Sequence, residues 1–244
     1  MNNLLADLEL RLAGAIRQFW AARGLFGEGV RSGKHLDGFL ELIESVLEAS
    51  GLNRAHIYWR NKTVLPGWYR ATKGWDLLVV TDKKLVAAIE FKSMVGSVSN
   101  NVNNRAEEVV GGATDFWAAY QEGAFAPSGR PWVGFVMILG DADDLKNAVR
   151  VEEPHFPVFP EFRNATYAAR YDSLFTKLVR TRLYDAACFL TTSSSDAAQG
   201  VCTAPNPELN FHTFLTSLLS RAIAVAQLQP PGPRVPPKIE AGNG

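Results

Sequence analysis

The apolar runs Leu77-Leu78-Val79-Val80 and Val86-Ala87-Ala88-Ile89, joined by the charged turn Thr81-Asp82-Lys83-Lys84, constrain this chain more than any other segment. They read as two strands of a β-hairpin. Three polar residues, Asp76, Glu90 and Lys92, stand where a buried hairpin should have none. Folding the hairpin about Lys83 places Asp76 opposite Glu90, and the alternation of strand side chains puts Glu90 and Lys92 on one face. Like charges opposed across a ladder are destabilising unless a cation sits between them. A divalent metal suits that position, with the Lys92 ammonium beside it.

Such a set can hydrolyse a phosphodiester. The reaction needs an activated water and relief of charge on the phosphoryl and leaving oxygens, and Mg²⁺ held by a few carboxylates supplies both. Asp76 and Glu90 are hard oxygen ligands, and the backbone carbonyl of Phe91 is a further candidate. Lys92 can orient the attacking water, lower its pKa or neutralise transition-state charge, and the sequence does not rank these roles. The ordinary alternative is a strand-end Asp76 with Glu90 and Lys92 as a solvated pair on an edge strand. Apolar residues flanking each polar one, and the registry of 76 with 90, argue against an edge.

The remaining composition narrows the class. Lys and Arg number 25, as do Asp and Glu, so the net charge of zero disfavours a sequence-blind nucleic-acid coat but allows a cleft with local positive charge. Two cysteines, no zinc-ligand spacing, no secretory leader and no long apolar span point to a reducing cytoplasm.

Apolar spacing predicts helices over Leu4–Trp20 and about His35–Ser50, then a strand Ala55–Trp59, the Pro66-Gly67 turn and the hairpin strands. After Lys92, the stretch from Gly96 to Asn104 is polar and Asn-rich. Further helices are expected from roughly Asn104 to Tyr120, Ala165 to Val179 and Glu208 to Gln227, with strands at Trp132–Leu139 and Ala186–Thr191. Glu152–Pro160 is Pro-interrupted and expected to be irregular. This order predicts an α/β (α+β) domain over residues 1–228, with a mixed central sheet flanked by helices. Residues 229–244 form a Pro-rich tail expected to be disordered.

Other side chains suit contact with duplex DNA. Asn103, Asn104 and Arg105 can bond base edges or phosphates, or cap the helix that follows. Tyr69, Arg70 and Lys73 precede Asp76 and are placed to touch phosphates, unless they are ordinary surface residues. Arg163, Arg170 and Lys177 recur every seven residues, so one helix would align them as a backbone track or a plain solvated face. Glu41 or Glu44, on the second helix, is a candidate extra metal ligand. The apolar stripe Leu215, Leu218, Leu219 and Ile223 is either core or a dimer interface.

Asp76 followed by Glu90-Phe91-Lys92 resembles the PD-(D/E)xK nuclease motif, with Trp75 replacing the usual proline. Several blocks are more specific: Lys34-His35-Leu36-Asp37, Leu65-Pro66-Gly67-Trp68-Tyr69-Arg70, Lys73-Gly74-Trp75-Asp76, Asn103-Asn104-Arg105-Ala106-Glu107-Glu108 and Arg180-Thr181-Arg182-Leu183-Tyr184-Asp185. Together they resemble the XhoI family of type II restriction endonucleases over roughly residues 5 to 225. That resemblance implies a restriction-endonuclease-like core and Mg²⁺-dependent double-strand cleavage at the palindrome CTCGAG. It also implies a methyltransferase of the same system and a two-fold homodimer matching the site's symmetry. Competing readings are a repair or junction-resolving nuclease on the same core, and a non-catalytic DNA-binding module.

Overall fold

A computed structural model describes residues 7–27, 34–96, 102–141 and 143–228 of the protein. The first two amphipathic stretches form α1 (Leu8–Ala21) and α2 (Asp37–Ala49), and Gly51, at φ 98°, follows the second. Short strands follow: β1 (Ile57–Tyr58), β2 (Val64–Pro66) and β3 (Thr72–Gly74). The long hairpin is β4 (Leu77–Thr81) and β5 (Lys84–Val95), after which come α3 (Val102–Gln121), β6 (Trp132–Gly140), α4 (Tyr167–Arg180), β7 (Ala186–Thr192) and α5 (Phe211–Leu228).

Five strands make a mixed sheet in the order β1-β4-β5-β6-β7, antiparallel as far as β5 and parallel from β5 to β7. The expected mixed sheet with flanking helices is therefore observed. Strand alternation sends Ile89, Phe91, Val136 and Ile138 to one face, where they join residues of α1, α2 and α5 in a core. Ala88, Phe135, Met137 and Phe189 face the other way, against α3 and α4.

The hairpin registry holds, by a route slightly different from the one expected. Asp82 and Lys83 both have positive φ, 48° and 62°, as a two-residue turn matching strand twist requires. That turn pairs Thr81 with Lys84 and Val80 with Leu85. A bulge then shifts the ladder by one residue, giving Val79↔Ala87, Leu78↔Ala88 and Leu77↔Ile89. Beyond this pair Asp76 lies across from Glu90, so the single extra residue decides that the two carboxylates meet.

Three helix limits differ from expectation. Side-chain caps set two of them: Thr166 accepts from the Ala169 N–H and starts α4, leaving Arg163 outside it, and Asn210 accepts from Thr213 N and starts α5 after a separate 3-10 turn at Pro207–Leu209. α3 already includes Val102, so Asn103, Asn104 and Arg105 are helical. In α5, Leu215, Leu218 and Leu219 are buried in the core, which leaves no apolar stripe of that composition for a partner. The tail 229–244 and most of the Asn-rich segment lie outside the described residues.

The β2–β3 hairpin was not foreseen beyond its Pro66-Gly67 turn. It pairs as a separate two-stranded sheet, and its strands are short and mostly exposed, so they carry no apolar alternation to read.

Candidate active site

The site arises where two strands part. β4 ends its ladder at Leu77↔Ile89, while β5 continues to Val95 paired with β6 alone. Asp76 sits at this fork: its N–H donates to Ile89 O at 3.1 Å, and its Oδ2 accepts from the Phe91 N–H at 2.7 Å. Glu90 and Lys92 project toward α3, on the face opposite Phe91.

Glu90 is buried, with 6% of its surface exposed, and each carboxylate oxygen has its own ammonium. Lys92 Nζ lies 2.9 Å from Oε1, and Lys73 Nζ lies 2.7 Å from Oε2. Oε2 is buried, and the Lys73 ammonium is the partner that compensates its charge. The Lys73 ammonium also packs over the Trp75 ring, 4.6 Å from its centre. Lys73 was expected near the Asp76 end of the sheet, either on a phosphate or as an ordinary surface residue; β3 carries it to Glu90 as a second lysine.

Burial by itself would push the Glu90 carboxyl upward, but the charges of Lys73 and Lys92 outweigh it and hold the group below the ordinary glutamate range. Asp76 shows the opposite balance. Burial, reinforced by the Glu90 charge, raises its pKa against the Phe91 N–H, Lys92 and Lys73. Two lysines thus compensate Glu90, and Asp76 remains undercompensated. A desolvated carboxyl short of positive charge, beside a second buried carboxylate, suits a hard divalent ion.

Asp76 consequently costs stability at neutral pH. A raised carboxyl pKa means that the folded state binds more protons than the unfolded one, so stability falls as pH rises from the ordinary aspartate value toward the raised one. Asp76→Asn, measured without metal, is expected to gain about 0.5–2 kcal/mol at pH 7, the range typical when a functional strain is removed. The gain should vanish below the ordinary aspartate range, where the wild-type carboxyl is protonated in both states. Equal melting temperatures for the two proteins at pH 7 would contradict this.

The remaining expected residues divide. Glu41 and Glu44 do not join the site: α2 packs on the sheet face opposite Glu90, where Glu44 pairs with Arg54 at 3.3 Å and Glu41 with Arg60 at 3.6 Å. The seven-residue basic stripe is not one helix face, because Arg163 precedes α4. Each of its members has an internal partner: Arg163 with Glu153, Arg170 with the Val149 carbonyl and Lys177 with Glu161. Asn103 does line one concavity with Arg170 and Lys177. Asn104 is exposed, and Arg105 pairs with Glu108 at 2.7 Å. Tyr69 is 73% exposed.

One buried charged residue near the site carried no expectation. Asp115 of α3 is only 3% exposed, and its carboxylate accepts from the N–H groups of Trp68 and Tyr69 and from Arg70 Nε, at 2.9, 2.7 and 2.8 Å. A carboxylate next to the apolar positions Ala113, Phe116 and Ala119 of a helix was the available signal.

Comparison with known proteins gives one consistent result. The sequence pattern of the family described as "Restriction endonuclease XhoI" matches residues 20–204. The type II restriction enzyme BstVI of Geobacillus stearothermophilus is 43% identical over 205 residues, covering 82% of this chain and 92% of that protein. The type II restriction enzyme XhoI of Xanthomonas vasicola is 42% identical over 190 residues, covering 72% and 77%. AbrI of Azospirillum brasilense, also named a type II restriction enzyme, is 43% identical over 167 residues, covering 62% and 75%. No solved structure matches.

Proposed function

We propose, from the premise that this chain belongs to the XhoI restriction endonuclease family and is a site-specific deoxyribonuclease, that it is a type II enzyme making Mg²⁺-dependent double-strand breaks at CTCGAG. The observation that carries the reading is the fork at which Asp76 and Glu90 stand side by side with Lys92 and Lys73. Asp76, Glu90 and the Phe91 carbonyl would hold the metal. A divalent ion there supplies a more acidic water and offsets charge on the phosphoryl oxygens.

The chain's own groups do the rest. Lys92, one-third exposed at its side chain, can turn from Glu90 to donate to a phosphoryl oxygen or to the attacking water. Lys73 is more enclosed and, with Lys92, holds the Glu90 carboxyl below its ordinary range, which keeps it ionised as a ligand. A palindromic target requires two such sites related by a two-fold axis, hence a homodimer with each subunit cutting one strand. A methyltransferase of matching specificity would protect the host's own sites. No helix among the described residues is long and apolar enough to cross a membrane.

A plasmid digest is the direct test. With Mg²⁺ the protein should yield discrete fragments whose sequenced ends all fall within CTCGAG, and with EDTA none. Discrete ends at another sequence would refute the site but keep the activity class. Nicking confined to branched DNA would replace restriction with junction processing.

A further inference from the structure

Arg70 is held in a way that separates it from an ordinary phosphate contact. Its Nε donates to Asp115 Oδ2 at 2.8 Å, while Oδ1 of the same carboxylate takes the N–H groups of Trp68 and Tyr69. The buried carboxylate thus clamps both the backbone and the guanidinium of the β2–β3 tip. Burial would raise the Asp115 pKa, but the hydrogen bonds from Arg70, Tyr69 and Trp68 outweigh it and hold the group below the ordinary range. Gly67 is part of the clamp, since a Cβ there would lie 2.6 Å from Asp115 Oδ2 and 2.7 Å from the Arg70 carbonyl.

With Nε engaged, the remaining edge of the guanidinium is the end-on pair Nη1 and Nη2, on a side chain 46% exposed. Two parallel N–H groups match the O6 and N7 acceptors of guanine in the major groove. They match two phosphate oxygens as well, so charge must decide between these. A carboxylate 2.8 Å behind the guanidinium cancels much of its long-range pull on an anion but leaves its short hydrogen bonds intact. Glu107 and Glu108 line the same concavity, which makes it a poor seat for phosphate and an acceptable one for a neutral base edge.

The concavity also adjoins the site. Gly112 lines it, and a Cβ on Gly112 would lie 3.8 Å from Glu90 Oε2 and 3.3 Å from Lys73 Cε. On the reading of the chain as a sequence-specific nuclease, we infer that Arg70 reads a guanine close to the scissile phosphate, with Asp115 as the positioning residue that presets its fork. The geometry makes Arg70 a specificity determinant and Asp115 the reason that lysine cannot replace it.

The test uses the full chain, binding in Ca²⁺ to duplexes that carry the site mapped by wild-type digestion, a sequence-scrambled control, and the site with guanines replaced by 7-deazaguanine. Wild-type protein that produces no mapped fragments would defeat the nuclease reading itself and is scored separately. Given a cutter, Arg70→Lys should weaken binding to the mapped site by about ten- to a hundredfold while leaving the scrambled control unchanged. The 7-deaza substitution should weaken wild-type binding and have no further effect on Arg70→Lys. Asp115→Asn, checked for a wild-type circular dichroism spectrum, should show the same loss confined to the mapped site. If it fails to fold, the Arg70→Lys and base-analogue comparison still decides. Equal weakening on mapped and scrambled duplexes with a shallower salt slope would assign Arg70 to a phosphate and overturn the inference, as would binding indifferent to Arg70→Lys.

Discussion

Glu90→Gln is expected to lower cleavage by about 10³-fold or more, because the replaced carboxylate is a ligand candidate whose ion would supply several kcal/mol of transition-state stabilisation. The substitution is nearly isosteric and leaves the β5–β6 ladder untouched, so the fold should persist. Binding should move the other way. Glu90 neutralises Lys73 and Lys92, at 2.7 and 2.9 Å, and glutamine releases both ammonium groups beside the place of the scissile phosphate. DNA affinity without divalent metal should therefore rise and its salt dependence steepen. A single-turnover assay in Mg²⁺, paired with a metal-free salt titration of binding, reads both effects. Cleavage within tenfold of wild type would remove Glu90 from the mechanism.

The largest stability effect is expected in the aromatic layer between β7 and α4. Phe189 stands in β7 with 0% exposure, against the rings of Tyr171 and Phe175 in α4 at 5.8 and 5.5 Å between centroids. Phe189→Ala opens a cavity beside two aromatic rings and should cost about 3–5 kcal/mol. For a chain of this size that corresponds to a melting temperature lower by roughly 6–20 °C. Guanidinium denaturation at constant m-value checks the size. Below its own melting transition the variant should still cut, since α4 contributes no residue to the fork. A cost under 1 kcal/mol would mean that this core collapses around the gap and that the aromatic layer is not the fixed element described here.

What could be read before any coordinates depended on range along the chain. The β4–β5 hairpin joins residues fewer than twenty apart, so alternation and a fold about Lys83 were enough to expect Asp76 beside Glu90 and Glu90 beside Lys92. Even there the bulge between Val79 and Val80 was invisible, and it corrects the half-residue offset of the turn. Glu41 and Glu44 show the limit: apolar periodicity predicts that α2 packs, but not on which face of the sheet. Arg163 failed for a smaller reason, since a threonine cap at Thr166 ends the helical spacing that seven-residue counting assumed.

By itself, then, the sequence determined the family, the order of the elements and the acidic pair with its lysine, because these follow from local periodicity and from blocks of residues shared with relatives. Tertiary structure alone decided that Lys73 crosses from β3 to Glu90, that Asp115 reaches 45 residues back to Arg70, and that Glu44 spends its charge on Arg54. Those contacts depend on how separate elements dock, and docking is set by the summed burial of many side chains, which no short pattern encodes.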